Sequence, residues 1–210
     1  MADLMNNIID DVATYYSEKL EKHGTTPQGV DWNGEESQAL RFTQLIRIVD
    51  QSVDVSINDI GCGYGALYDF LSPRFPSFRY NGYDIAEDMV LAARNRHASE
   101  RAEFHIGAKP ETSAQFGIAS GIFNVKLDWS DAAWLEYVVE TLDTIDQTSA
   151  RGFSFNCLTS YSDPDKMRPN LYYANPSEIF DICKRKYSRN VAVLHDYGLY
   201  EFTVLVRKQL

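Results

Sequence analysis

Val55-Ser-Ile-Asn-Asp-Ile-Gly-Cys-Gly-Tyr-Gly65, continued by Ala66-Leu-Tyr-Asp-Phe-Leu71, decides the fold of this chain. β-Formers, Ile57 and Ile60 among them, run into a turn with glycine at every second position, Gly61, Gly63 and Gly65, and a short helical pattern follows. The reading is strand, glycine turn, helix. Glycine at such a turn permits positive φ and lets a ligand approach backbone where a Cβ would otherwise stand. The start of the next helix offers N–H groups with no partner inside the helix. A strand running into such a turn is a small-molecule cradle in an open α/β sheet.

The spacing departs from the dinucleotide fingerprint G-x-G-x-x-G, because the third glycine comes one residue early. Asp59 stands two residues before the first glycine, giving D-I-G-C-G-Y-G. Arg79-Tyr-Asn-Gly-Tyr-Asp84 reads as the next strand, and it ends in a carboxylate where a ribose diol can be held by two hydrogen bonds. This series resembles the class I S-adenosylmethionine (SAM)-dependent methyltransferases. The resemblance implies SAM as cofactor and S-adenosylhomocysteine (SAH) as product. It implies Asp59, Gly61, Cys62, Gly63 and Gly65 at the methionyl end and Asp84 on the ribose. Ile85-Ala-Glu-Asp-Met89 resembles the family's D-x-S-x-x-M stretch, with Ala86 in the serine position, so Ile85 and Met89 are expected to border the adenine. Ala119, Ser120 and Gly121 resemble the segment that lines the methionine part, and Asn124 follows toward the substrate. Related enzymes often carry an acid after the third strand. Gly107-Ala108 stands there, so that contact is missing or is made by backbone.

The 210 residues suit one domain with a sizeable core, and 44% hydrophobic with 24% charged residues is an ordinary globular composition. No apolar run approaches membrane-spanning length, and the N-terminus lacks the basic flank and apolar core of a signal peptide. Cys62, Cys157 and Cys183 are isolated, with no C-x-x-C pair. They read as reduced cysteines of a cytoplasmic protein, with no metal-site spacing. A net charge of −10 repels phosphate backbones, so no nucleic-acid partner is expected. Oligomeric state stays open.

Residues 4–23 carry Leu4, Ile8, Ile9, Val12, Tyr15, Tyr16 and Leu20 at helical spacing, stopped by Gly24-Thr-Thr-Pro27. Gln28 to Gly34 is a loop, and Ser37 to Val49 is helical again. Beyond the motif, the pattern predicts a third strand at 103–107, a fourth from Phe116, a helix over 129–148 and a fifth strand at 152–158. A long Tyr-rich loop, Thr159 to Asn175, leads to a helix at 176–186 and two closing strands, Val191–Leu194 and Glu201–Val206. Only His195 to Tyr200 separates those two, too short for a parallel crossover, so they pair as a hairpin. The expected fold is a doubly wound α/β sheet of seven strands, mostly parallel with a terminal antiparallel hairpin, following five βα units. Residues 1–50 form an N-terminal helical extension, which the resemblance implies is a lid, or which only covers the sheet. Residues 51–210 form the SAM-binding domain.

Three residues of the extension attract attention. Trp32 lies in a loop, where an aromatic has less packing reason to exist. Gln38 and Arg41 sit one turn apart on one helix face. Arg41 either holds the methionyl carboxylate in bidentate fashion or faces solvent. The long loop follows a strand's C-terminal end, the ligand side, which makes Tyr172 and Tyr173 substrate-wall candidates with Tyr15, Tyr16 and Trp32. The sixth strand is expected to run parallel to the first five, bringing His195, Asp196 and Tyr197 toward the substrate. His195 is then either a general base or a hydrogen-bonded structural residue. The activity expected is methyl transfer from SAM to a small-molecule acceptor. The alternatives are a protein or peptide methyltransferase and a protein that binds SAM without transfer.

Overall fold

A computed structural model of the chain describes residues 2–32, 34–49 and 54–208. Its centre is a sheet in which β1 (Val55–Ile60), β2 (Phe78–Asp84), β3 (Ala102–Ile106), β4 (Ala114–Ala119), β5 (Ser149–Thr159), β7 (Asn190–Leu194) and β8 (Glu201–Arg207) follow the order β3-β2-β1-β4-β5-β8-β7. β1 pairs in parallel with β2 and β4, β2 with β3, and β4 with β5. β8 runs antiparallel to both β5 and β7. The seven strands and closing hairpin read from the sequence are therefore present, and β7 shares the direction of β1 to β5. The Tyr-rich loop adds a two-residue strand, β6 (Tyr173–Ala174), beside β5.

Helices cover both faces. α1 (Ala2–His23), α5 (Asp131–Gln147) and α6 (Pro176–Lys186) pack one cluster, with Ile8, Trp134, Val138 and Ile179 buried against Ile60, Phe153 and Phe202. α2 (Glu35–Leu45), α3 (Ala66–Leu71) and α4 (Glu87–Arg96) pack the other, with Leu45, Leu71 and Val90 against Ile57, Tyr80 and Ile118. The extension thus contributes to both halves of one core. The expected boundary between residues 50 and 51 lies outside the described residues. One of the five expected βα units departs from the pattern: residues 107–113, between β3 and β4, contain no helix. The segment is too short to hold one and still return to the start of the sheet.

Caps and anchors fix the ends of these elements. Ser130 caps α5 by accepting from the N–H of Ala133, and Asn175 caps α6 by accepting from that of Ser177, with Pro176 in the first turn. Fully buried Trp134 donates from Nε1 to the carbonyl of Phe123 at 2.8 Å, which fixes the segment after β4 to α5. Trp134→Phe would leave that carbonyl without its donor and open a void. We expect urea unfolding to report a loss of about 2–4 kcal/mol; a change within about 0.5 kcal/mol would show that the anchor is dispensable.

Candidate active site

The turn after β1 is built from three glycines with different reasons. Gly61, Gly63 and Gly65 all hold positive φ, at 72°, 54° and 86°. A Cβ on Gly61 would lie 2.1 Å from the Ile122 side chain, and one on Gly65 would lie 2.7 Å from the His97 ring. Those two positions are glycine because neighbouring side chains fill the space. A Cβ on Gly63 would meet Val30 at 3.0 Å and the Met89 sulfur at 4.0 Å, and both residues line an open cleft. There the nearest neighbour is a Val30 methyl at the edge of the cleft, which must give by only a few tenths of an ångström. The turn is tied to β2 by the N–H groups of Gly61 and Cys62, which donate to the Tyr83 carbonyl at 2.8 and 3.0 Å. Asp84 then accepts from Gly63 N–H at 2.8 Å on one oxygen and from Ala86 N–H at 2.9 Å on the other.

The cleft beside Gly63 encloses about 230 Å³. Its floor is the glycine turn with Asp59, Asp84, Ser120 and Gly121. One face of α1 walls it, Met5, Ile9, Val12 and Tyr16, while Trp32, Gln38 and Phe42 close a second side and Tyr137, Glu140 and Thr141 of α5 a third. Ala108, Lys109 and Glu140 are exposed and form its mouth. Gln38 also hydrogen-bonds the Tyr64 side chain, joining α2 to the turn.

Acid dominates the electrostatics. Asp59 is buried, accepts from the Tyr80 hydroxyl on one oxygen and has no partner for the other. Burial pushes its carboxyl up to about 7, opposed by the Tyr80 hydrogen bond and reinforced by the charge of Asp84. Burial also raises Asp84, against the backbone N–H groups that hold it ionised. The hydroxyls of Tyr16 and Tyr137 are raised by burial too, the second to about 12, so both stay protonated at neutral pH.

The structure brings most of the expected cofactor set together: Asp59, Gly61, Cys62, Gly63, Asp84, Ile85, Met89, Ser120 and Gly121 all line the cleft. Gly65 does not, because its open side is taken by His97. Arg41 is neither on the wall nor in solvent. Its Nε donates to both carboxylate oxygens of Glu201 at 2.8 Å and its Nη2 to one of them at 2.5 Å. Of the substrate candidates, Tyr16 and Trp32 reach the cleft. Tyr15 instead donates to Asp31 at 2.8 Å, and Asn124 accepts from the N–H of Leu158 at 3.1 Å. Tyr172 packs in the core, Tyr173 accepts from the N–H of Arg168, and Tyr197 bonds Thr203. His195 also lies away from the cleft, exposed and against Tyr161 and Phe202. Its strand has the expected direction, but β5 and β8 stand between β7 and β4. Three strand spacings of about 4.8 Å are too far for a base. Sequence reading missed Lys109, Glu140 and, on the α1 wall, Met5, Ile9 and Val12. The α1 stripe is visible at helical spacing, but a stripe facing a cleft has the same period as one facing a core.

A methyltransferase-domain family model matches residues 57–142, from β1 into α5. The chain is 53% identical over 164 residues to a putative methyltransferase, Rv1506c, of Mycobacterium tuberculosis, covering 78% of this chain and 99% of that protein. It is 39% identical over 70 residues to a tRNA (guanine-N(7)-)-methyltransferase of Kluyveromyces lactis, covering 30% of this chain and 25% of that protein. Among solved structures, magnesium protoporphyrin IX methyltransferase from Synechocystis PCC 6803 with bound SAH aligns with a TM-score of 0.60. The match covers 82% of this chain and 84% of that one at 14% identity, a likeness of fold.

The state of Asp59 gives this site a pH signature. Between 3.8 and about 7 the native carboxyl keeps a proton that the unfolded chain has released, so its contribution to stability falls as pH rises through that window. Asp59→Asn keeps an acceptor for Tyr80 and removes the titration. Thermal melts are expected to show the variant gaining on the native chain steadily from about pH 4 to pH 7. A difference in melting temperature that is constant across that range would contradict this assignment.

Proposed function

The chain belongs to the class I SAM-dependent methyltransferases, and on that footing we propose that it methylates a small organic acceptor by in-line displacement. SAM, when bound, supplies an electrophilic methyl on a sulfonium. The residues of the cleft fit that molecule. Asp84 faces the cleft with both oxygens braced by backbone, ready to accept from a ribose diol. Gly63 leaves the space a methionyl group needs, and Ile85 and Met89 offer apolar and polarisable surface to a base. Asp84 and Glu140 outnumber Lys109 on the walls, a field that favours a cation. The observation that carries the reading is the clamp of Asp84 on the N–H of Gly63 at the floor of an apolar, acid-edged cleft.

Small-molecule specificity is supported by the cover over the cleft. α1 and the Trp32 segment close it on two sides and act as its lid, where a polypeptide or a tRNA needs an open groove. The net charge of −10 also opposes a phosphate backbone. No helix among the described residues is long and apolar enough to cross a membrane, and the three free, buried cysteines suit a reducing, cytoplasmic setting. Among the described residues no histidine lines the cleft, and its tyrosines remain protonated, so the protein's part is to align the acceptor and exclude water.

Incubation of the protein with methyl-labelled SAM and a fractionated cell extract tests this reading. Label is expected in the low-molecular-mass fraction; label in tRNA or in protein would overturn the small-molecule assignment. In parallel, calorimetry on Asp84→Ala is expected to show SAM affinity falling about ten- to hundredfold, the loss of hydrogen bonds to a charged acceptor. Unchanged affinity would remove Asp84 from the ribose.

A further inference from the structure

In the sheet, β2, β1 and β4 are neighbours, and β5 and β8 follow beyond β4. Asp84 ends β2, the glycine turn follows β1, and Ser120 and Gly121 follow β4. A donor lying from Asp84 across Gly63 to Ser120 leaves the ends of β5 and β8 as the side from which an acceptor meets it. A polar group sealed from solvent stands there: Arg41 is 5% exposed, Glu201 1% and Asn156 0%. Glu201 receives Arg41 and, at 2.6 Å, the Nδ2 of Asn156, whose Oδ1 accepts from the N–H of Gly121 at 2.8 Å. The group is therefore bonded directly to the cleft wall. Yet the buried Nη1 of Arg41 has no hydrogen-bond partner. An unpaired donor on a buried guanidinium is a costly defect and calls for an explanation.

Trp32 stands between this group and the cleft. The Arg41 guanidinium lies over its ring, 3.9 Å from the centroid. Its benzo edge covers Gly121 so closely that a Cβ there would come within 2.2 Å of it. Trp32 is carried by the segment after the short turn Pro27–Val30 rather than by a long helix or a strand, and it is only half-buried. A flat ring, a cation behind it and a free donor beside it are the parts of an aromatic recognition site.

We propose that Trp32 and Arg41 recognise the methyl acceptor: a planar aromatic molecule stacks on the cleft face of the half-buried indole, and a neutral oxygen on it, a carbonyl or hydroxyl, displaces the indole from the guanidinium and accepts from Nη1 of Arg41. This rests on the cleft being the methyl-donor site. The oxygen is neutral because Glu201 already balances the guanidinium, and Asp84 adds negative charge on the floor of the same cleft. A carboxylate would bring a further anion to one cation.

The test uses the full chain saturated with SAH and three probes of similar size, acetophenone, ethylbenzene and benzoate, titrated by ligand-observed NMR. Acetophenone is expected to bind about tenfold tighter than either of the others. In Arg41→Lys, which keeps the charge opposite Glu201 but has no Nη1, the preference is expected to shrink to about twofold or less with SAH affinity retained. Trp32→Ala is expected to weaken all three probes. In the native chain the Nε–H resonance of Arg41 is expected to shift with acetophenone and not with ethylbenzene, a measurement that does not depend on how the variants fold. A carbonyl preference that survives Arg41→Lys, tightest binding by benzoate, or no probe binding at millimolar concentration overturns the proposal. Failure of the native chain to bind SAH would overturn the methyl-donor reading and this proposal with it; SAH binding without carbonyl preference overturns this one alone.

Discussion

Two oxygens of one carboxylate, on Asp84, hold the parts of the cleft in register. One grips the N–H of Gly63 in the turn after β1, and the other grips that of Ala86 at the entry to α4. Burying a carboxylate is expensive unless it is hydrogen-bonded, and here the backbone of two neighbouring turns supplies the bonds. The same bonds fix Gly63 in the left-handed region, with its open face toward Met89 and Val30. Removing the carboxylate would therefore release the turn that lines the cleft from the entry to α4.

The floor of the site was legible in the sequence because its parts lie close together in the chain. Asp59, the glycines and Asp84 follow one another through one strand–turn–helix–strand unit, and spacing alone puts them at one sheet edge. The direction of β7 was legible for a similar reason, since the short link to β8 allows only a hairpin. Its distance from the cleft was not. That depends on β8 inserting between β5 and β7, an order set by long-range pairing, and it is why His195 ends far from the glycine turn. The pairing of Arg41 with Glu201 joins residues 160 positions apart, and no local pattern announces it. Tyr15 and Tyr16 illustrate the same limit on a small scale. Adjacent on α1, they point apart, one to Asp31 and the other to the cleft.

The cover of the site has its own physical logic. Asp31 holds a positive φ of 61° without being glycine, and it accepts from Tyr15 and from Lys19 of α1 at 2.8 and 2.7 Å. Those bonds tie the segment carrying Trp32 to α1 on one side, while Arg41 and Glu201 hold the indole on the other. The ion pair is almost fully buried, so its net stabilisation is small compared with the cost of breaking it by removing one partner. Such a pair serves to specify position, and what it positions is the Trp32 wall of the cleft.

The central claim is that the open face of Gly63 is ligand space, whereas that of Gly65 is packing space. Calorimetric titration of SAH into Gly63→Ala and Gly65→Ala, each with its melting temperature, separates the two. Both substitutions carry a similar backbone cost of roughly 1 kcal/mol at positive φ. Gly63→Ala is expected to lose about tenfold or more in SAH affinity with a modest fall in melting temperature, while Gly65→Ala, pressed against His97, is expected to melt well below it. Gly63→Ala with native SAH affinity would contradict the account.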